Sequence, residues 1–270
     1  RRIFAGDGGP TTTIADNSGV FSSFEGVAIN DGGMVAFWTA QTAGGQAVYA
    51  GSGGPTMVIA DDSGPFVSSF DLFPSINSSG TVAFRSALDV GGFGIYTSSG
   101  GPATNIVDDS DGFTLFASHS INDSGTVAFR AVPSAGGDGI FTGSGGALTT
   151  IVDSSGPFAG FGNFPSINNV GAVAFLGFLD SGGIGIYVGP DPIADKVIEV
   201  GDALFGSTVT ALGFNEGLND SGNVAFLYAL ANGVTGVAVT GIPEPTGLSL
   251  LALGSAVVLA TMRRRGVRVS

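Results

Sequence analysis

The chain has 270 residues, 47 of them glycine, with 43% hydrophobic and only 11% charged residues. Low charge with ample apolar content excludes a disordered, solvated chain, and this much glycine excludes long helices, since an interior glycine costs about 1 kcal/mol relative to alanine. The sequence has no cysteine, which excludes disulfides, thiolate chemistry and cysteine-based metal sites.

The charge is unevenly spread. Of nine basic residues, Arg1 and Arg2 open the chain and Arg263, Arg264, Arg265 and Arg268 close it. Residues 3–241 hold only Arg85, Arg130 and Lys196 against 21 acidic residues, a net charge of −18. Such a surface repels phosphate backbones, so nucleic acid is excluded as a partner.

In chain order, a Gly-rich hairpin signal comes first, Ile3-Phe4-Ala5-Gly6-Asp7-Gly8-Gly9-Pro10, and then a β-branched run ending in Asp16. The octapeptide Asn-x-x-Gly-x-Val-Ala-Phe follows at Asn30 to Phe37. It recurs at Asn77 to Phe84, Asn122 to Phe129, Asn168 to Phe175 and Asn219 to Phe226, at intervals of 47, 45, 46 and 51 residues. The hairpin and the Asp-terminated run return between the copies, for example at Val48–Pro55 with Val58–Asp61, and at Ile95–Pro102 with Asn105–Asp108. The fifth unit is looser, with an insert around Gly189-Pro190-Asp191-Pro192.

A fixed period of this size marks a repeat architecture. Each unit reads as four short strands, because Val, Ile, Tyr, Phe and Thr fit a pleated packed surface and Gly, Asn, Asp and Ser fill the bends. In the octapeptide, the Asn residues (Asn30, Asn77, Asn122, Asn168, Asn219) cap a turn, and the Gly residues (Gly33, Gly80, Gly125, Gly171, Gly222) accept the positive φ at its exit. These ten are structural turn residues. Val and Phe then point to one face of the next strand and Ala to the other, leaving a small face that a neighbouring sheet can approach closely. The prediction is an all-β, β-propeller-like array of five four-stranded repeats of ~46 residues over residues 1–241. A parallel β-helix is the alternative, disfavoured because long crossovers are absent. Gly236–Thr240 is a surplus copy of the hairpin strand, which either closes a ring with Ile3-Phe4 or begins a further unit.

Residues 242–270 differ in kind. Pro243-Glu244-Pro245 breaks the β pattern, and Gly247–Met262 runs 16 residues without a charge. As a helix this is about 24 Å, a little short of a ~30 Å hydrocarbon core. Arg263, Arg264 and Arg265 follow at once and set the topology, with the bulk of the protein outside the membrane. The three parts together resemble the PEP-CTERM sorting signal of Gram-negative bacteria that make exopolysaccharide, and the body resembles the tandem Asn-x-x-Gly-x-Val-Ala-Phe proteins that carry interchangeable C-terminal anchors. The resemblance implies that an exosortase-like enzyme is a partner and recognises Pro243, Glu244 and Pro245. It implies transient anchoring in the inner membrane through a C-terminal hydrophobic helix, and then release to the cell surface or the extracellular space. Arg1-Arg2-Ile3-Phe4 contains no apolar signal segment, so export predicts further sequence ahead of Arg1.

No catalytic constellation emerges, and no metal or cofactor is expected. His119, the only histidine, replaces the proline of Phe-Pro-Ser-Ile-Asn and reads as a solvated loop residue, because no nucleophile elbow accompanies it. Asp108-Asp109-Ser110-Asp111-Gly112 fails the EF-hand spacing and reads as a capped turn, the alternative being calcium held in another geometry at the recurring Asp61-Asp62 and Asp108-Asp109 pairs. Glu199, Asp202 and Glu216 lie in the least symmetrical unit and are the weak pointer to a glycan-degrading enzyme. Trp38 is the only tryptophan, so a repeated sugar-stacking platform of that type is excluded, and the phenylalanines read mostly as core. The expected function is therefore a non-enzymatic structural or interaction protein of the cell surface or matrix. The alternative is a lectin-like binder of extracellular polysaccharide.

Overall fold

A computed structural model describes residues 1–67, 70 and 73–240, and the backbone of Gly266–Val269. Its strands form six antiparallel sheets. Blade 1 comprises Phe21–Ile29, Val35–Gln41, Gln46–Gly51 and Met57–Asp61. Blade 2 comprises Ser75–Ile76, Val82–Ala87, Phe93–Ser98 and Thr104–Asp108. Blade 3 comprises Phe113–Ile121, Val127–Pro133, Gly139–Gly143 and Thr149–Asp153. In blade 4 the first strand is split into Phe158–Phe161 and Ser166–Ile167, ahead of Val173–Leu179, Ile184–Val188 and Lys196–Glu199. Blade 5 comprises Ala203–Leu204, Ser207–Gly213, Ala225–Leu230 and Thr235–Val239. A sixth sheet pairs Thr12–Asp16 with Arg2–Gly6, and Arg2–Gly6 with Gly266–Val269.

The sheet boundary falls inside the sequence repeat. Blades 1 to 4 take their first two strands from the segment around one octapeptide and their last two from the hairpin and Asp-terminated run that follow. In blade 5, Ser207–Gly213, Ala225–Leu230 and Thr235–Val239 are the counterparts of the first three strands, and Ala203–Leu204 is added beside the first. Gly236–Thr240 accordingly contributes the third strand of blade 5, while Ile3-Phe4 lies in the sixth sheet. The two ends therefore do not share a blade.

Blade-to-blade packing follows from the alternation in Val-Ala-Phe. In blade 1, Val35 and Phe37 face the sixth sheet and pack with Ile3, Ala5 and Ile14, while Ala36 faces blade 2 and meets Val82 and Phe84. The same hand-over puts Ala83 against Val127 and Phe129, Ala128 against Val173 and Phe175, and Ala174 against Val224 and Phe226. In blades 1 to 4 an aromatic quartet fills the larger side. In blade 1 it consists of Phe21, Phe24, Phe37 and Tyr49, with centroids 5.0–6.0 Å apart. Trp38 is buried between blades 1 and 2, 7% exposed, and offers no surface platform.

The three basic residues of the body are engaged within the fold. Arg85 Nη1 donates to the Phe116 carbonyl across the blade 2–3 boundary at 2.8 Å. Arg130 pairs with Asp138 at 2.9 Å and donates to Asn163 of blade 4, and Lys196 pairs with Asp202 at 3.1 Å. Among the described residues no helix is long and apolar enough to cross a membrane. The predicted apolar helix at 247–262, with Pro243, Glu244, Pro245, Arg263, Arg264 and Arg265, lies outside the described residues.

Candidate functional site: the central channel

The first strands of the blades line a central cavity of about 1650 Å³, closed on its sixth side by Phe4 and the Gly6–Gly9 turn. One end of the cavity is built from the octapeptide turns. Each turn closes on itself: Asn122 Oδ1 accepts from Thr126 N at 3.0 Å and from Ser124 Oγ at 2.7 Å, and the carbonyl of Asn122 accepts from Gly125 N. The five turn glycines have φ between 80° and 84°, which side-chain-bearing residues rarely adopt.

The turns are also joined to one another. Asn30 Nδ2 donates to the Asn77 carbonyl at 2.9 Å, Asn77 to Asn122 at 3.1 Å, Asn122 to Asn168 at 3.1 Å, and Asn168 to Asn219 at 3.2 Å. The five asparagines therefore form one ladder that joins blade to blade as well as capping their own turns, while the five glycines shape those turns. The following residue adds a second ladder. Ser78 N donates to Asp123 Oδ1 at 2.8 Å, Asp123 N to Asn169 Oδ1 at 2.7 Å, and Asn169 N to Asp220 Oδ1 at 2.8 Å. Hydrogen bonds from the Ser78 side chain and backbone, with a further bond from Asn169, hold the Asp123 carboxyl below its ordinary range.

The other end of the channel is set by proline. Blades 2 and 4 have Phe-Pro-Ser-Ile-Asn before the turn, and because proline cannot donate to a ladder the first strand is interrupted there. Only Ser75–Ile76 and Ser166–Ile167 pair beyond the break. Phe73 and Phe164, one residue before each proline, both line the cavity. They come from non-adjacent blades and meet across the channel edge-to-face, with centroids 6.0 Å apart at 89°. Phe73 is 49% exposed. The corresponding segment of blade 5 places Asn215 and Glu216 along the same channel, Glu216 with φ 47°. Ser75 Oγ, buried in this wall, has no hydrogen-bond partner among the described residues.

The aromatic pair was hidden within a general reading of phenylalanine as core. The available signal was the Phe-Pro dipeptide, present in two units and replaced in the others.

His119 needs correction. It lies within the unbroken first strand of blade 3, pairs with Phe129 and is fully buried. Without proline the strand runs on into the ladder, so this position is core and not solvated loop. The recurring aspartates are turn caps. Asp108 Oδ1 accepts from Ser110 N at 2.8 Å, and Asp16, Asp61 and Asp153 bond Ser18, Ser63 and Ser155 in the same way. Among the described residues no group of three or more His, Asp or Glu side chains is placed to hold a metal ion. Glu199 and Asp202 are tied to Lys196, whereas Glu216 lines the channel, so the three do not form one site.

Sheets of three to five strands packed face to face around a channel define a β-propeller, a fold compatible with a binding or interaction role. The chain belongs to the family described as "Family of unknown function (DUF7453)", which matches it over residues 3–210. No curated protein matches the sequence. Among solved structures it is similar to TolB from Acinetobacter baumannii, with 15% identity and a TM-score of 0.50 over 88% of this chain and 63% of TolB. The chain thus spans less than two thirds of TolB, and the likeness concerns the fold alone. Weaker likenesses are to the Aleuria aurantia lectin in complex with α-methyl-L-fucoside, at 9% identity and TM-score 0.44 over 81% and 76% of the two chains. YCF48 from Cyanidioschyzon merolae follows at 12% identity and TM-score 0.42 over 81% and 67%.

Proposed function

We propose that the chain is an exported, non-catalytic binding protein of the bacterial cell surface or polysaccharide matrix, and that it holds a saccharide of that matrix at the Phe73–Phe164 end of its channel. The observation that carries this reading is the aromatic pair. An exposed phenylalanine ring at the mouth of a polar channel offers an apolar face for the C–H face of a sugar ring. Asn215 and Glu216, which line the same channel, offer donors and acceptors for sugar hydroxyls. A few placed polar groups beside an aromatic surface are the usual make-up of a small-ligand site. The net charge of −18 over residues 3–241 favours a neutral glycan over an anionic one.

Delivery rests on the tail. Pro243, Glu244 and Pro245 serve as the recognition element for an exosortase-like enzyme, the apolar run 247–262 as a transient anchor, and Arg263, Arg264 and Arg265 as its cytoplasmic stop. In an exopolysaccharide-making host, Glu244→Ala is expected to leave the protein in the inner membrane, and unchanged surface delivery would contradict the sorting role.

Affinity electrophoresis in gels containing neutral exopolysaccharide tests the binding role. Retardation of the native chain, reduced about tenfold in apparent affinity by Phe73→Ala with Phe164→Ala, is the expected result, matching the loss of roughly 1.4 kcal/mol of contact. A native chain that is not retarded, or a double variant that binds equally well, would sink the proposal.

A further inference from the structure

Among the described residues, the five apolar interfaces between sheets do not complete a circle. Val48, Ile95, Ile140 and Ile186 occupy one position of the third strand in blades 1 to 4, and each is fully buried by the next blade. The same position in blade 5 is Val237, which is 66% exposed, and beside it Leu227 is 57% exposed where blade 1 buries Trp38. The sixth sheet should cover this face, but it is short on that side. Its Arg2–Gly6 and Thr12–Asp16 correspond to third and fourth strands, and the second-strand place is held by four residues, Gly266–Val269. In blades 1 to 4 the octapeptide Phe stands opposite the third-strand aromatic, as in Phe37 with Tyr49 and Phe129 with Phe141. In the sixth sheet Phe4 stands opposite Arg268. The asparagine ladder stops here as well. Among the described residues, Asn219 Nδ2 has no next carbonyl, and the Asn30 carbonyl receives no neighbouring amide.

We propose that the sixth sheet receives a β-hairpin of the chain's own repeat type, joined to Arg1 in the same polypeptide, which takes the place of Gly266–Val269. Each feature of the hairpin is specified by what it would meet. Its octapeptide Asn accepts the free Asn219 amide on its carbonyl and donates to the Asn30 carbonyl, completing a six-membered ladder. Its Val and Phe, with the two phenylalanines of a first strand, cover Leu227 and Val237 and surround Phe4 as the quartets of blades 1 to 4 surround their third-strand aromatic. Its Ala faces blade 1, continuing the established interfaces. Joining in cis fits the local geometry, because second and third strands in blades 1 to 5 are linked by turns of only four or five residues. A hairpin ending just before Arg1 would therefore fall into register. Its arrival also releases Gly266–Val269 from the sheet, freeing the end of the chain that follows the sorting tail.

The test extends the full chain with a copy of the sequence of residues 113–137 placed directly before Arg1. A control extension carries Ser at the octapeptide Asn, Val and Phe positions. The repeat extension should raise Tm by about 5 °C or more and lower binding of a hydrophobic dye by about twofold or more, with the protein still monomeric, while the control does neither. Three outcomes would overturn the proposal. The extension has no effect, or no more than its control. The unextended chain dimerises and loses dye binding as concentration rises, which would give the open face to a second copy. Deleting residues 266–270 from the unextended chain lowers Tm by as much as the extension raises it, which would give the place to the C-terminal segment.

Discussion

Blades 2 to 4 and the sector between blades 5 and 6 are built from the same repeat but differ in what covers them. Around blade 3, Ile140 and Phe129 are fully buried, and Asn122 is bonded to the turns on either side. Around blade 5, the equivalent of Ile140 is an exposed valine and the ladder ends at Asn219. The repeat sequence is thus not a self-sufficient folding unit. One blade's Ala face is only an opportunity until the next blade's Val and Phe fill it, as expected where stability resides in nearest-neighbour interfaces.

That contrast can be broken by substitution. The largest difference should separate Ile140→Ala, expected to cost about 2–5 kcal/mol through the cavity it leaves, from Val237→Ala, expected to stay within about 0.5 kcal/mol. Urea denaturation of the two variants checks this, and similar losses would mean that the sector near blade 5 is closed. Next in size, Asn122→Ala removes the amide bond to Asn168 as well as two local bonds, and should cost about 2 kcal/mol. Asn219→Ala loses only its own turn, in which Asn223 N donates at 2.8 Å, and should cost about 1 kcal/mol in the same assay.

A smaller effect concerns acid. Hydrogen bonds from Ser78 and Ser155, respectively, keep the Asp123 and Asp153 carboxyls below their unfolded values. A depressed folded pKa adds stability above the unfolded value near ~3.9, and that stability is lost as pH falls through the folded value. Asp123→Asn should therefore flatten the fall in Tm between about pH 4 and pH 2 relative to the native chain, and an unchanged slope would remove Asp123 from the ladder's energetics. The smallest effect is expected inside the closed sector. Burial, with Asp108 and Asp109 nearby, pushes the Tyr96 phenol up to about 12, and its hydroxyl has no hydrogen-bond partner among the described residues. Phe141 fills the same place in blade 3, so Tyr96→Phe should change stability by no more than about 0.5 kcal/mol, or raise it slightly. A larger loss would reveal a partner for that hydroxyl.

The octapeptide made much of this legible. A residue period of two in Val-Ala-Phe fixes which side chains face which neighbour, and a Gly three residues after Asn fixes the turn, so the blades and the ten turn residues followed from local chemistry. The joining of turns across blades did not, because an asparagine that caps its own turn looks the same as one that also reaches 46 residues onward. Phe73 and Phe164 escaped for a related reason: only the proline beside each one turns a core residue into a channel residue. His119 was misplaced because the absence of proline, and not the presence of histidine, decides whether the strand continues. The phase of the blades was equally hidden, since the repeat can be cut at any turn.

Hydrogen–deuterium exchange along the third strands tests the contrast most directly. Amides of Phe93–Ser98 and Gly139–Gly143, covered on both faces, should exchange far more slowly than those of Thr235–Val239, at least about a hundredfold if local opening there costs some 3 kcal/mol less. Equal protection of Thr235–Val239 would contradict the account, because it would mean that the face bearing Val237 is already covered and the ring of blades already complete.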